Sequence, residues 1–150
     1  MYKRILVASD ASEGGLQAVA AAADLCLKYS ATLIALHVYE MPAIQSEMIG
    51  GGMINGIEAL DPRMLDDWMN ELNETVRKKT EAVLTAAGVR CINRQEIGRP
   101  ANTIVRIASE EGVDLIVLGS RGLSGIEAFL LGSVSERVAH LAHCSVLIVR

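Results

Sequence analysis

Residues 114–122 read Asp-Leu-Ile-Val-Leu-Gly-Ser-Arg-Gly, and residues 130–138 read Leu-Leu-Gly-Ser-Val-Ser-Glu-Arg-Val. Leu115 to Leu118 is a short, wholly apolar run, the pattern of a strand buried on both faces of a parallel sheet. It stops at Gly119. Ser120, Arg121 and Gly122 follow, then nine residues, then Gly132 and Ser133. Val134, Val138 and Leu141 fall on one face of a helix that the spacing starts near Ser133. A strand, a glycine loop and a helix start together make an anion site. Glycines let the backbone approach a phosphate closely, and unpaired N–H groups at a helix start point at it.

Outward from this stretch the same alternation repeats. Ile5 to Ala8 is a first buried strand that ends at Ser9-Asp10. Leu16, Val19, Ala20, Ala23 and Leu27 follow helical spacing to about Tyr29, and Thr32 to Val38 is a second strand. Asp61-Pro62 reads as an N-cap with proline at the first helical position. Leu65, Trp68, Leu72, Val76 and Val83 then lie mostly on one face, up to a stop at Gly88. Val89 to Ile97 is a strand of mixed polarity, suited to a sheet edge. Gly98-Arg99-Pro100 turns the chain into a helix marked by Ile104, Ile107 and Ala108 and ending at Gly112, and Ser145 to Val149 is the last strand. Short strands alternating with helices imply right-handed crossovers and an open five-stranded parallel sheet with helices on both faces, a Rossmann-like α/β domain spanning residues 1–150. The order of the strands is not readable from these patterns.

Residues 41–60 fit neither period. They hold Gly50-Gly51-Gly52, Gly56 and the methionines Met41, Met48 and Met53. A twenty-residue irregular segment in a compact domain is either functional or a disordered insertion. It follows the second strand, so one reading makes it a lid over a bound ligand or a surface for a partner.

Composition bounds the rest. At 150 residues with 51% hydrophobic and only 3% aromatic residues, the core is aliphatic. A net charge of −4 without a basic block disfavours nonspecific binding to nucleic acid or anionic membrane. The cysteines Cys26, Cys91 and Cys144 are odd in number and scattered, as expected of reduced core or near-core thiols in a cytoplasmic protein. Only four apolar residues, Ile5 to Ala8, follow Lys3-Arg4 before Ser9-Asp10, too few for a signal peptide, and no run reaches the length of a membrane span.

The glycine stretch lacks the Gly-Lys-Ser/Thr of a Walker loop, and Gly-x-Gly-x-x-Gly does not occur. What does occur is Gly119-x2-Gly122-x9-Gly132-Ser133. This spacing resembles the nucleotide-binding signature of the universal stress protein family, in its ATP-binding branch, and matches at all four positions. The resemblance runs from Lys3-Arg4-Ile5-Leu6-Val7 to Ser145-Val146-Leu147-Ile148-Val149. It implies an adenine nucleotide alpha hydrolase-like fold with strand order 3-2-1-4-5. That order places a topological switch point between strands 1 and 4, where ligands bind beyond the strands' carboxyl ends. Ala8-Ser9-Asp10 and Leu118-Gly119 would meet there. The resemblance further implies that Asp10 meets the nucleoside and that the backbone at Val38 reads the adenine. Ala8 departs from the proline of many relatives.

On this reading the backbone from Gly119 through Gly122 and from Gly132 to Val134, with the hydroxyls of Ser120 and Ser133, holds the phosphates. With no loop lysine, Mg²⁺ shares their charge. Arg121 either reaches a phosphate or sits in solvent. Ser135 reads as an exposed first-turn residue, close enough to Ser133 to touch a phosphate or metal. The plainer alternatives are a capping box of Ser133 with Glu136, and Asp10 capping the first helix with Glu13 three residues on. His140-x-x-His143-Cys144 precedes the last strand at the far end of the sheet and is read as structural, as is His37.

Three functions follow as expectations. The first is a cytoplasmic stress-response regulator that binds ATP, ADP or AMP and signals to a protein partner. The second is an enzyme, either a slow Mg-dependent ATPase or other nucleotide-hydrolysing enzyme, or an adenylyl-transferring relative. The third is an interaction module without nucleotide. In the implied order the run Ser145 to Val149 is an apolar edge, which invites pairing with a second copy about a two-fold axis.

Overall fold

The computed structural model describes residues 1–40, 62–120 and 131–150. The expectations for segment 41–60, for Asp61 as an N-cap, and for Arg121 and Gly122 lie outside the described residues. The elements alternate as expected: β1 Arg4–Ala8, α1 Glu13–Tyr29, β2 Thr32–Tyr39, α2 Pro62–Ala86, β3 Cys91–Ile97, α3 Pro100–Glu110, β4 Leu115–Gly119, α4 Ser133–Leu141 and β5 Ser145–Val149. The strands form one five-stranded parallel sheet in the order β3-β2-β1-β4-β5. β1 is central, with Ile5 opposite Leu33 on one side and Leu115 on the other.

Alternate residues of the apolar strands feed two separate cores. Ile5, Val7, Leu33, Ala35, Leu115 and Val117 pack with Ala18, Val19, Ala22 and Ala23 of α1 and Leu84 of α2. Leu6, Ile34, Leu36, Ile116 and Leu118 pack with Ile104 and Ile107 of α3 and Val138 of α4. The strands read as continuous hydrophobic runs because both faces are covered.

The start of the decisive stretch also ties the sheet together. Asp114 Oδ2 accepts the backbone N–H groups of Lys3 at 2.7 Å and Arg4 at 2.8 Å, joining the beginnings of β1 and β4. Those two bonds hold the Asp114 carboxyl below the usual carboxylate range.

The buried face of α1 differs from the periodicity. It consists of Gly15, Ala18, Val19, Ala22, Ala23 and Cys26, whereas Ala20 is exposed and Leu27 is 58% exposed. Small residues let the helix lie close to the sheet, and the leucines fall to its margin. In α4, Val138 is fully buried and Leu141 is 42% exposed. β3 begins at Cys91 rather than Val89, because Gly88 at φ 71° first turns the chain and Val89 N–H bonds back to the Leu84 carbonyl. The three cysteines are free thiols, Cys26 buried and the others half-buried.

Candidate functional site at the carboxyl ends of β1 and β4

The N-cap of α1 is Ser12, not Asp10: the Ser12 hydroxyl accepts the Gly15 N–H at 3.1 Å. Ala11 adopts the left-handed conformation at φ 59°, and this kink moves Asp10 out of the capping position. Asp10 instead accepts the Ser12 N–H through Oδ1 at 2.9 Å, while the Ser9 hydroxyl accepts the Ala11 N–H at 3.1 Å. Ser9 is only 8% exposed, and its own N–H continues the sheet by bonding to the Leu36 carbonyl. A non-glycine residue at positive φ costs about 1–2 kcal/mol, so these local bonds offset strain to hold a tight loop at the end of β1.

On the other side of the switch point, α4 begins differently from the capping box of the plainer alternative. Its N-cap is Gly132, which has no side chain to bond the first turn. Ser133 is already the first helical residue. The Glu136 N–H closes onto the Gly132 carbonyl at 2.9 Å, so the N–H groups of Ser133, Val134 and Ser135 precede the first intrahelical bond. The amides of Gly132 and Ser120 are not part of this open set. Gly132 N–H bonds to the Ser120 carbonyl at 2.8 Å and Ser120 N–H to the Val149 carbonyl at 2.7 Å, so these two amides are engaged within the protein. The expected exposure of Ser135 is corrected: the residue is 3% exposed, and its hydroxyl donates to the carbonyls of Gly132 at 2.9 Å and Ser120 at 3.3 Å. It fastens the start of α4 to the end of β4.

Gly119 has a reason that sequence spacing did not show. A Cβ there would sit 2.7 Å from both the carbonyl carbon and oxygen of Gly14. Its small size lets the first turn of α1 cross the end of β4. Gly15 is similarly crowded, with a Cβ falling 2.8 Å from Asp10 Oδ1 and 2.9 Å from the Ser9 hydroxyl.

These pieces enclose a cavity of about 360 Å³, within the usual range for small-molecule sites. It is lined by Ala8, Ser9, Asp10, Val38, Leu118 and Gly119, and by Gly132 through Ser135. Of the described residues expected at the site, only Ser120 lies outside the lining. The lining also includes residues that the motifs did not mark: Gly15, Leu36, His37 and Glu40, with Pro100 and Ile104 from α3. Strand order would have found several of them, since β2 lies beside β1 and its last residues must reach the same end.

His37 Nδ1 lies 2.6 Å from the Ser9 carbonyl oxygen. A carbonyl can only accept, so Nδ1 carries the hydrogen. Burial holds the imidazole below its ordinary value of 6.5, against smaller upward pulls from the Ser9 bond and from Asp10. The unfolded chain therefore binds its proton first as pH falls. The contribution of His37 to stability is present above about 6.5, is lost as pH falls below it, and levels off once the folded imidazole protonates. Urea unfolding should give a lower stability at about pH 5.5 than at about pH 7.5, and replacing His37 with Asn should shrink that difference.

Comparison with known proteins agrees with this architecture. The model of the universal stress protein family matches residues 1–150. Universal stress protein YxiE of Bacillus subtilis is 35% identical, with all of both chains covered. Among solved structures, MJ0577 of Methanocaldococcus jannaschii superposes with a TM-score of 0.75 at 29% identity, covering 99% of this chain and 96% of that one. A universal stress protein in complex with cAMP gives a TM-score of 0.72 at 27% identity, covering 99% and 97%. Strand order, the β1–β4 switch point and full-length similarity coincide, and the chain belongs to the universal stress protein family.

Proposed function

We propose that this protein binds an adenine nucleotide in the β1–β4 cavity and acts as a cytoplasmic stress-response regulator that reports nucleotide occupancy to a protein partner. One observation carries the reading: Asp10 and the open first turn of α4 line a single cavity. Amides at a helix start suit phosphates, and a carboxylate suits ribose hydroxyls. The related universal stress protein in complex with cAMP supports an adenine ligand. The backbone at Val38, which lines the cavity at the end of β2, would read the base. Ser133 and Val134, with the loop containing Ser120, Arg121 and Gly122, would hold the phosphates of ATP, ADP or AMP.

No lysine or arginine is among the described residues lining the cavity. A Mg²⁺ ion would fit this setting, with Asp10, Glu40 and the Ser133 hydroxyl as the hard oxygen donors available to hold it. Such an ion would neutralise phosphate charge. Any hydrolysis would come from cation and loop geometry and would be slow. Mass spectrometry of ligand released by heating tests the binding reading, with AMP, ADP or ATP expected. Steady-state phosphate release separates regulator from enzyme, and many turnovers per minute would favour the enzyme.

Dimerisation through β5 belongs to the same reading. β5 pairs only with β4 among the described strands, and its Leu147 is 37% exposed while Val146 and Ile148 are half-buried. Sedimentation should give twice the chain mass; a monomeric mass at micromolar concentration would contradict the pairing.

A further inference from the structure

We infer that His37 is a positioning residue for the cavity: its Nδ1–H holds the Ser9 carbonyl and thereby aims the Asp10 carboxylate. This rests on the nucleotide reading above and identifies what organises one half of that site. The Ser9 carbonyl belongs to the peptide that links Ser9 to Asp10. Fixing its direction fixes the peptide plane from which the Asp10 side chain departs. Beyond it the chain passes through Ala11 at φ 59° into the Ser12 cap. The Ser9, Asp10 and Ser12 side chains restrain this loop from within, and the 2.6 Å bond from His37 ties it to the neighbouring strand β2.

The imidazole is itself held. Its ring meets the Tyr39 ring edge-on with centroids 4.1 Å apart. On the side facing α2 it lines a second, small pocket with Asn73, Val76 and Thr80. Ser9, Leu36 and His37 line both this pocket and the main cavity, so the histidine stands in the wall between them. A side chain whose rotamer is locked by packing can hold a functional group to the fraction of an ångström that binding requires. The charged and titratable groups around it are Asp10 from the β1–α1 loop, Tyr39 on its own strand, Arg77 from α2 and Arg94 from β3. None removes the hydrogen from Nδ1: both the neutral tautomer and the imidazolium keep it, so the bond survives across the titration.

The chemistry separates replacements. Asn places its amide nitrogen on Cγ, where His carries Nδ1, and keeps the donor. Gln places its nitrogen one bond farther, and Leu has none. In titrations of Mg-ATP followed calorimetrically, His37→Leu and His37→Gln should weaken binding about tenfold, and His37→Asn should stay within about threefold of wild type. Thermal unfolding of each variant checks that it remains folded. Long-range proton–nitrogen NMR of the wild-type protein, with the His37 signals identified by their loss in His37→Asn, should show hydrogen on Nδ1 and none on Nε2 near neutral pH. This readout stands even if the Leu variant does not fold. Wild-type binding with Leu and Gln variants equally tight would overturn the inference and leave the nucleotide reading intact. An Nε2–H tautomer would overturn it as well. No binding by the wild type would instead remove the nucleotide reading, and this role with it.

Discussion

Gly119→Ala should cost about 3 kcal/mol of stability, at the upper end of what overpacking by one methyl group usually does. The reason is the identity of the neighbours. The added Cβ would lie 2.7 Å from the Gly14 carbonyl carbon and oxygen and 3.1 Å from the Gly15 nitrogen. These are main-chain atoms, so no rotamer change clears the contact. Either β4 or the first turn of α1 must shift, and both are anchored. β4 is buried between β1 and β5, and α1 packs Ala18, Val19, Ala22 and Ala23 against the sheet. Urea unfolding of the variant should show a lower midpoint with an unchanged slope. A loss below about 0.5 kcal/mol would mean that the α1–β4 crossing is looser than described.

Asp10→Ala should weaken Mg-ATP binding about 30-fold, the loss of a charge-assisted hydrogen bond worth about 2 kcal/mol. Two effects contribute. The cavity loses a carboxylate acceptor, and the Ser12 N–H loses the Oδ1 acceptor that shapes the loop at 2.9 Å. Asp10→Asn separates them, since Asn keeps an oxygen for the Ser12 N–H but not the charge. The Asn variant should fall between wild type and Ala. Fold stability should change little, because the Ser12 cap of α1 remains.

The buried strands were legible in sequence because a parallel sheet covered on both faces needs unbroken apolar runs such as Leu115 to Leu118 and Ile5 to Ala8. Strand order was not legible from periodicity; it came with the Gly119-x2-Gly122-x9-Gly132-Ser133 resemblance, and the sheet has that order. The phase of α1 was misjudged because alanines and glycine carry its packing face, and their weak hydrophobic signal was outvoted by Leu16 and Leu27. Asp10 and Ser12 are both good caps; only the left-handed Ala11 between them decides for Ser12. Ser135 looked exposed because a first-turn position says nothing about a returning loop, yet the end of β4 covers it. His37, Glu40, Pro100 and Ile104 reach the cavity through neighbouring strands and helices, a relation that no local motif encodes.

Calorimetric titration of the purified, nucleotide-free protein with Mg-ATP, alongside its Asp10→Ala variant, tests the assignment of the β1–β4 cavity most directly. The expected result is one nucleotide per chain, with clearly weaker binding by the variant. A protein that gives no binding signal, or one that binds equally well without the Asp10 carboxylate, would contradict it.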